Sequence, residues 1–184
     1  MSALPLNLDP GPNAFGLARR WWNALGFLAC VACLGFAYFA QFYLGLEPCP
    51  LCIFQRLVFL VLGAVFLAGA LHHPVGVAGA RAYAALIGLT AVIGAGIAGR
   101  QVWLQHLPPE QVPRCGPGLD YLLETLPLNE IVREVLTGSG ECAKVDWTLL
   151  GLSMPAWCLL LFLGLGGLGA WLNGRRGASL APAG

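Results

Sequence analysis

Four long apolar stretches, separated by polar connections, dominate the hydropathy pattern of this chain. They lie near 21–44, 53–71, 82–104 and 149–172. A hydrocarbon core of about 30 Å takes roughly 20 helical residues to cross, so each stretch is long enough to span a bilayer. The pattern predicts an all-α integral membrane protein, a four-transmembrane-helix bundle forming a single domain over 21–172. Flexible tails are expected at 1–20 and 173–184. The connections at 45–52 and 105–148 then share one side of the membrane, and both termini share the other. The longer connection has its own periodicity. Leu119, Leu122, Leu123 and Leu126 recur at helical spacing opposite Asp120, Glu124 and Thr125. After Pro127 the stripe repeats as Leu128, Ile131, Val132, Val135 and Leu136, with Asn129 placed as an N-cap. Two short amphipathic helices are expected, lying on the membrane interface because the loop has little else to pack against.

Composition agrees with that solvent. Among 184 residues, 58% are hydrophobic and 10% charged, with a mean hydropathy of +0.72, too apolar for a soluble domain of this size. The formal net charge of +1 comes from scattered Lys and Arg, which leaves no basic stripe for nucleic acid. The first span is too long for the core of a signal peptide, and Arg19-Arg20 before Trp21-Trp22 reads as an interfacial anchor. Arg19, Arg20, Arg81, Arg175 and Arg176 lie on the side of the termini, and Arg114, Arg133 and Lys144 on the other. By the positive-inside rule this bias favours cytoplasmic termini.

Seven cysteines change the picture from a membrane span to membrane chemistry. Cys49-Pro-Leu-Cys52 stands between the first two spans, and Cys115 and Cys142 bracket most of the long loop. Exchanging disulfides belong to an oxidising compartment, which places this side outside the cytoplasm. Pro48 and Pro50 forbid a regular helix through Cys49, so Cys52 falls at a helix N-terminus, where exposed amides favour a thiolate. Arg56 adds a cation one turn on. An arginine among Ile53, Phe54, Leu57, Val58 and Phe59 is costly unless it snorkels or serves a partner, such as the carbonyl of a lipid-soluble acceptor, with Gln55 helping to orient it. Glycines and prolines around Cys115, and Gly138-Ser139-Gly140 before Cys142, suit a disulfide that opens and moves. A static loop-closing disulfide and a zinc site are the competing readings of these four cysteines. The wide spacing of Cys115 and Cys142 disfavours zinc. Cys30-x-x-Cys33 and Cys158 lie inside spans, and His72-His73 has no further ligand nearby. The three thiols are expected to pack as small hydrophobes and the histidines to end a helix, and no metal is expected.

The segment Cys49-Pro-Leu-Cys-Ile-Phe-Gln-Arg56 resembles the CxxC-x-x-x-R signature of the DsbB family of thiol:quinone oxidoreductases. Arg100-Gln-Val-Trp-Leu-Gln-His106, Ser139 to Trp147 and Leu150-Gly-Leu-Ser-Met-Pro-Ala-Trp157 agree as well, and the resemblance runs from about Trp21 to Trp171. It implies that a periplasmic DsbA-like thiol oxidase attacks Cys115 and is reoxidised, that Cys49 exchanges with the loop pair, and that Cys52 meets a membrane quinone, ubiquinone or menaquinone. Arg56 would stabilise the charged thiolate–quinone pair, and His106 matches a histidine near the quinone. The location implied is the bacterial inner membrane, with the redox cysteines facing the periplasm. Pro50 and the Pro108-Pro109 segment are departures that bear on redox poise and loop length. A vitamin K epoxide reductase-like enzyme is the rival within redox chemistry, although there the CxxC follows the loop pair in chain order. A disulfide-stapled scaffold is the non-enzymatic rival.

Overall fold

The computed structural model describes residues 19–72, 77–113, 124 and 127–174. Among the described residues, four helices are long and apolar enough to cross a membrane: α1 (Arg19–Tyr43), α2 (Pro50–His72), α3 (Val77–Gln105) and α6 (Met154–Gly174). Between α3 and α6 come a single 3₁₀ turn (Pro109–Gln111), α4 (Leu128–Thr137), α5 (Gly140–Ala143) and a two-stranded hairpin of β1 (Thr148–Leu149) and β2 (Leu152–Ser153). The architecture is that of a membrane helical bundle with the irregular structure of the described residues gathered at one end.

Side-chain size explains how closely the helices approach. The most extensive packing is between α3 and α6, followed by α1 with α2 and α2 with α3. Gly94 of α3 receives the Phe162 ring, so that a Cβ there would stand 2.5 Å from it, and Gly166 of α6 faces Ala91 with no room for a side chain. The Phe66 ring is wedged between Gly26 and Gly169, joining α2 to α1 and α6 at once. In a bilayer, where lipid is as apolar as leucine, such close van der Waals contact is a main source of helix association. Phe59 and Phe162 stack with centroids 4.0 Å apart in the middle of the bundle. At the end away from the CxxC, Asn23 and Asn173 are buried and exchange two hydrogen bonds, of 3.1 and 2.8 Å, between the first and last helices.

Several expectations need correction. The fourth span, expected from residue 149, begins as helix only at Met154. Leu150 (φ 54°) and Gly151 (φ 80°) both take left-handed backbone, which makes the two-residue turn that a tight hairpin requires and that a helix cannot contain. The second amphipathic helix is present as α4, but Asn129 lies inside it. The carbonyl of Pro127 accepts the first bonds, from Glu130 and Ile131, so Pro127 holds the capping position. Nor are the described members of its apolar face, Ile131 and Val135, left to lipid. Each is 3% exposed and packs with Cys49, Leu51, Leu104 and Cys142. The third span starts five residues earlier than expected, its first turn being the apolar run before Arg81. Glu124, helical and exposed, is the one described residue of the first amphipathic stripe; its leucines lie outside the described residues, as do both tails and His73. His72 ends α2 with its ring 3.0 Å from the Tyr83 hydroxyl.

Candidate functional site

Local sequence builds the site from Cys49. Pro50 takes the first helical position of α2, where its missing N–H costs nothing. The Cys49 carbonyl accepts from Ile53 N–H at 3.1 Å, which makes Cys49 the capping residue and Cys52 the third residue of the helix. Their sulfurs then stand 3.0 Å apart as free thiols. Cys142 arrives from α5, fully buried, and joins the same apolar cluster. Its sulfur is held by the Cys49 thiol and by backbone amides of Leu51 and Ser139, with the Ser139 hydroxyl at 3.7 Å. Three sulfurs from two distant segments thus converge on the N-terminus of α2, with Cys49 in the middle. Cys115 lies outside the described residues.

The array has an electrostatic order. Cys142 is held down at about 6, chiefly by the hydrogen bond from Cys49, against its burial. Cys49 is pushed up from the ordinary thiol value, first by its hydrogen bond to Cys142, then by that to Cys52 and by burial. Cys49 has one S–H and two sulfur neighbours, so it is the proton holder of the group and Cys142 is the nucleophile presented to it.

A cavity of about 400 Å³ opens beside Cys52, within the range of small-molecule sites. Cys52, Gln55, Arg56 and Gln101 supply polar atoms to a wall otherwise rich in Ala, Leu, Phe and Trp. Arg56 is tied down by α1: one guanidinium nitrogen donates to Gln41 Oε1, the other to the Ala37 carbonyl at 3.1 Å, and the group lies 5.2 Å from the Tyr38 ring centre. His106 is exposed, with Nδ1 2.8 Å from the Val102 carbonyl, and it does not line this cavity. Cys33 and Cys158 do line it, whereas Cys30 packs in the core beside Phe59 and Phe66, as expected for a small hydrophobe.

Sequence reasoning missed Gln101. It sits on α3, 3% exposed, with Nε2 3.2 Å from Cys52 Sγ and 3.3 Å from Cys49 Sγ. Gln55 Nε2 donates to its Oε1 at 2.7 Å. The available signal was a lone uncharged polar residue on the last turns of a span, where a buried amide requires partners. Arg100, its neighbour, donates to the Thr137 carbonyl at 2.8 Å and stacks 4.3 Å from the Trp103 ring centre, fastening the C-terminus of α4 to α3. The cap formed by α4 is thereby held over the cysteines.

Comparison with known proteins follows the same residues. A family model described as disulfide bond formation protein DsbB matches residues 19–172. The chain is 56% identical over 154 residues to disulfide bond formation protein B of Methylococcus capsulatus, covering 83% of this chain and 93% of that protein. Proteins of the same name from Nitrosococcus oceani (50% over 161 residues, 88% and 95% covered) and Acinetobacter baumannii (52% over 147 residues, 80% and 86% covered) are similarly close.

Proposed function

Since the chain belongs to the DsbB family of disulfide bond formation proteins, we propose that it is a thiol:quinone oxidoreductase of the bacterial inner membrane. It reoxidises a periplasmic DsbA-like dithiol protein and passes the electrons to a membrane quinone, ubiquinone or menaquinone. Both termini are cytoplasmic and the cysteine end of the bundle faces the periplasm. The observation that carries this reading is the position of Cys49 between two different sulfurs, Cys142 of the loop and Cys52 of the cavity wall.

The chemistry runs through these residues in order. The partner's thiolate attacks Cys115, and the second partner thiol resolves the mixed disulfide, which leaves the partner oxidised and Cys115 and Cys142 reduced. Cys142, whose sulfur keeps the backbone amides of Leu51 and Ser139 when Cys49 is oxidised, attacks Cys49 in a Cys49–Cys52 disulfide and expels Cys52. Cys115 then attacks Cys142, restoring the loop disulfide and leaving Cys49 and Cys52 reduced. The apolar cavity beside Cys52 suits a quinone ring, with Arg56 as the only full cation among the residues from α1, α2 and α3 that line it. A quinone supplies a two-electron, two-proton acceptor when bound there. The protein's part is to hold Cys52 and a cation in one apolar wall, keep water out and return Cys49–Cys52 to the disulfide. The reaction balances: a partner dithiol and a quinone become a disulfide and a quinol.

The test is Cys52→Ser in the purified full-length chain. Quinone reduction driven by a reduced DsbA-like protein should be lost; turnover at the unsubstituted rate would refute the assignment.

A further inference from the structure

The opening of the Cys49–Cys52 bond leaves a negative sulfur on a half-buried cysteine beside a mostly apolar cavity. Attack by Cys142 forms the Cys142–Cys49 bond and breaks Cys49–Cys52, and the electron pair of the broken bond stays on Cys52 Sγ. No proton or outside reductant takes part, so the site must accommodate the charge as it arrives. Arg56 shares the cavity with Cys52 and gives two of its five N–H donors to Gln41 and the Ala37 carbonyl. The donor in contact with the sulfur is the Gln101 amide, whose Nε2 stands 3.2 Å from Cys52 Sγ and 3.3 Å from Cys49 Sγ.

Gln55 sets the sense of that amide. Its oxygen is occupied by Gln55 Nε2 at 2.7 Å, and both glutamines are 3% exposed, so no bulk water competes for either. Turned over on its own, Gln101 would set its NH₂ against the NH₂ of Gln55 and give up the 2.7 Å bond. Gln55 lies three residues after Cys52 on α2, on the same face of the helix, so the strut and the sulfur it serves move as one body. The Oε1 of Gln101 is also 3.6 Å from Cys52 Sγ, within reach of a thiol proton once Cys52 is protonated. A neutral amide can therefore attend both protonation states, whereas a cation at that spot would bind the thiolate and retard its next step.

We infer that Gln101 is a catalytic residue of this site, an uncharged donor for the charge that develops on Cys52, and that Gln55 is the positioning residue that turns its amide towards the sulfurs. This rests on the proposed thiol:quinone reading and adds to it the group that lowers the cost of the internal exchange, in the manner of an oxyanion hole built for sulfur.

The test uses the full-length chain in detergent with decylubiquinone as acceptor and dithiothreitol as the reducing dithiol. Gln101→Leu should slow quinone reduction by at least about tenfold, by analogy with the loss of one preorganised donor, and move the pH profile of Cys52 alkylation in the reduced protein to higher pH. Gln101→Glu keeps the shape and loses the donor, and should be as slow as Gln101→Leu or slower. Gln55→Leu should cause a smaller loss of the same kind. The titratable and charged groups about Cys52 are Cys49, Cys142, Arg56, Cys33 and Cys158, with Glu47, Lys144 and Asp146 on the cavity wall. The variants leave all of them in place, so a moved profile reports the amide. Activity restored in Gln101→Glu, or an unmoved alkylation profile in Gln101→Leu, assigns the residue to packing and overturns the proposal. Cys52→Ser separates the two claims. If it still reduces quinone, the functional reading fails; if it is inactive while the Gln101 variants run at full rate, only the role of the amide fails.

Discussion

Removing the Cys49 sulfur should raise the pH at which Cys142 becomes reactive. Cys142 is held at about 6, against an ordinary thiol value of 9.0, and the hydrogen bond from Cys49 is the largest cause. At pH 7 a thiol titrating near 6 is roughly 90% thiolate, and one titrating near 9 only about 1%. Cys49→Ala takes away that bond but leaves the amides of Leu51 and Ser139, so the midpoint should climb part of the way back. A climb to about 7.5 would cut the thiolate fraction at pH 7 from ~0.9 to ~0.25, a loss of nearly fourfold. The direction is set by the anion. Reactivity is present above the midpoint and lost as pH falls through it, so the unsubstituted protein stays reactive down to about 6 and the variant loses reactivity at higher pH. Fully reduced protein would be pulsed with iodoacetamide between pH 5 and 10 and alkylation of Cys142 read by peptide mass. Because Cys142 is fully buried, each rate is normalised to its own high-pH plateau, which removes the effect of access. A midpoint near 9 in the unsubstituted protein, or the same midpoint in both proteins, would refute the idea that a hydrogen bond from Cys49 stabilises the Cys142 thiolate.

Two further outcomes test other parts of the structure. Arg56→Ala should raise the KM for quinone on the order of tenfold, with kcat less affected, since a hydrogen bond to a charged group contributes about 1.5–3 kcal/mol; steady-state titration with quinone reads this, and an unaltered KM would remove Arg56 from the quinone site. Gly166→Ala must push α6 away from Ala91 and should cost about 1–3 kcal/mol, as overpacking does; unfolding in mixed micelles measures it, and an unchanged transition would show that the α3–α6 contact yields freely.

The legible parts of this chain were those governed by solvent and by short-range chemistry. Unbroken apolar runs announce membrane helices because lipid offers no partner to a charge, and Pro50 with Cys52 announces a helix start because both preferences act within one turn. Tertiary contact decided the rest. The stripe of Ile131 and Val135 is the same whether it meets lipid or protein, and only the fold shows that it meets Cys49 and Cys142. Leu149 to Ser153 reads as apolar sequence, and the left-handed backbone at Leu150 and Gly151 turns it into a hairpin. Gln101 looks like a polar residue near the end of a span until α2 places Gln55 and two sulfurs around it. Cys33 and Cys158, unremarkable in their helices, share a cavity wall because α1 and α6 both flank it.

The Asn23–Asn173 pair bears on how the molecule is made. Its partners are 150 residues apart in sequence, and each amide is buried. As helices enter the membrane in order of synthesis, Asn23 is without Asn173 until α6 is in place. Only then does Asn173 meet it, together with the Gly169 carbonyl that also accepts from Asn173. The clasp is therefore a mark of completion: the first helix finds its polar partner only when the last one is in place.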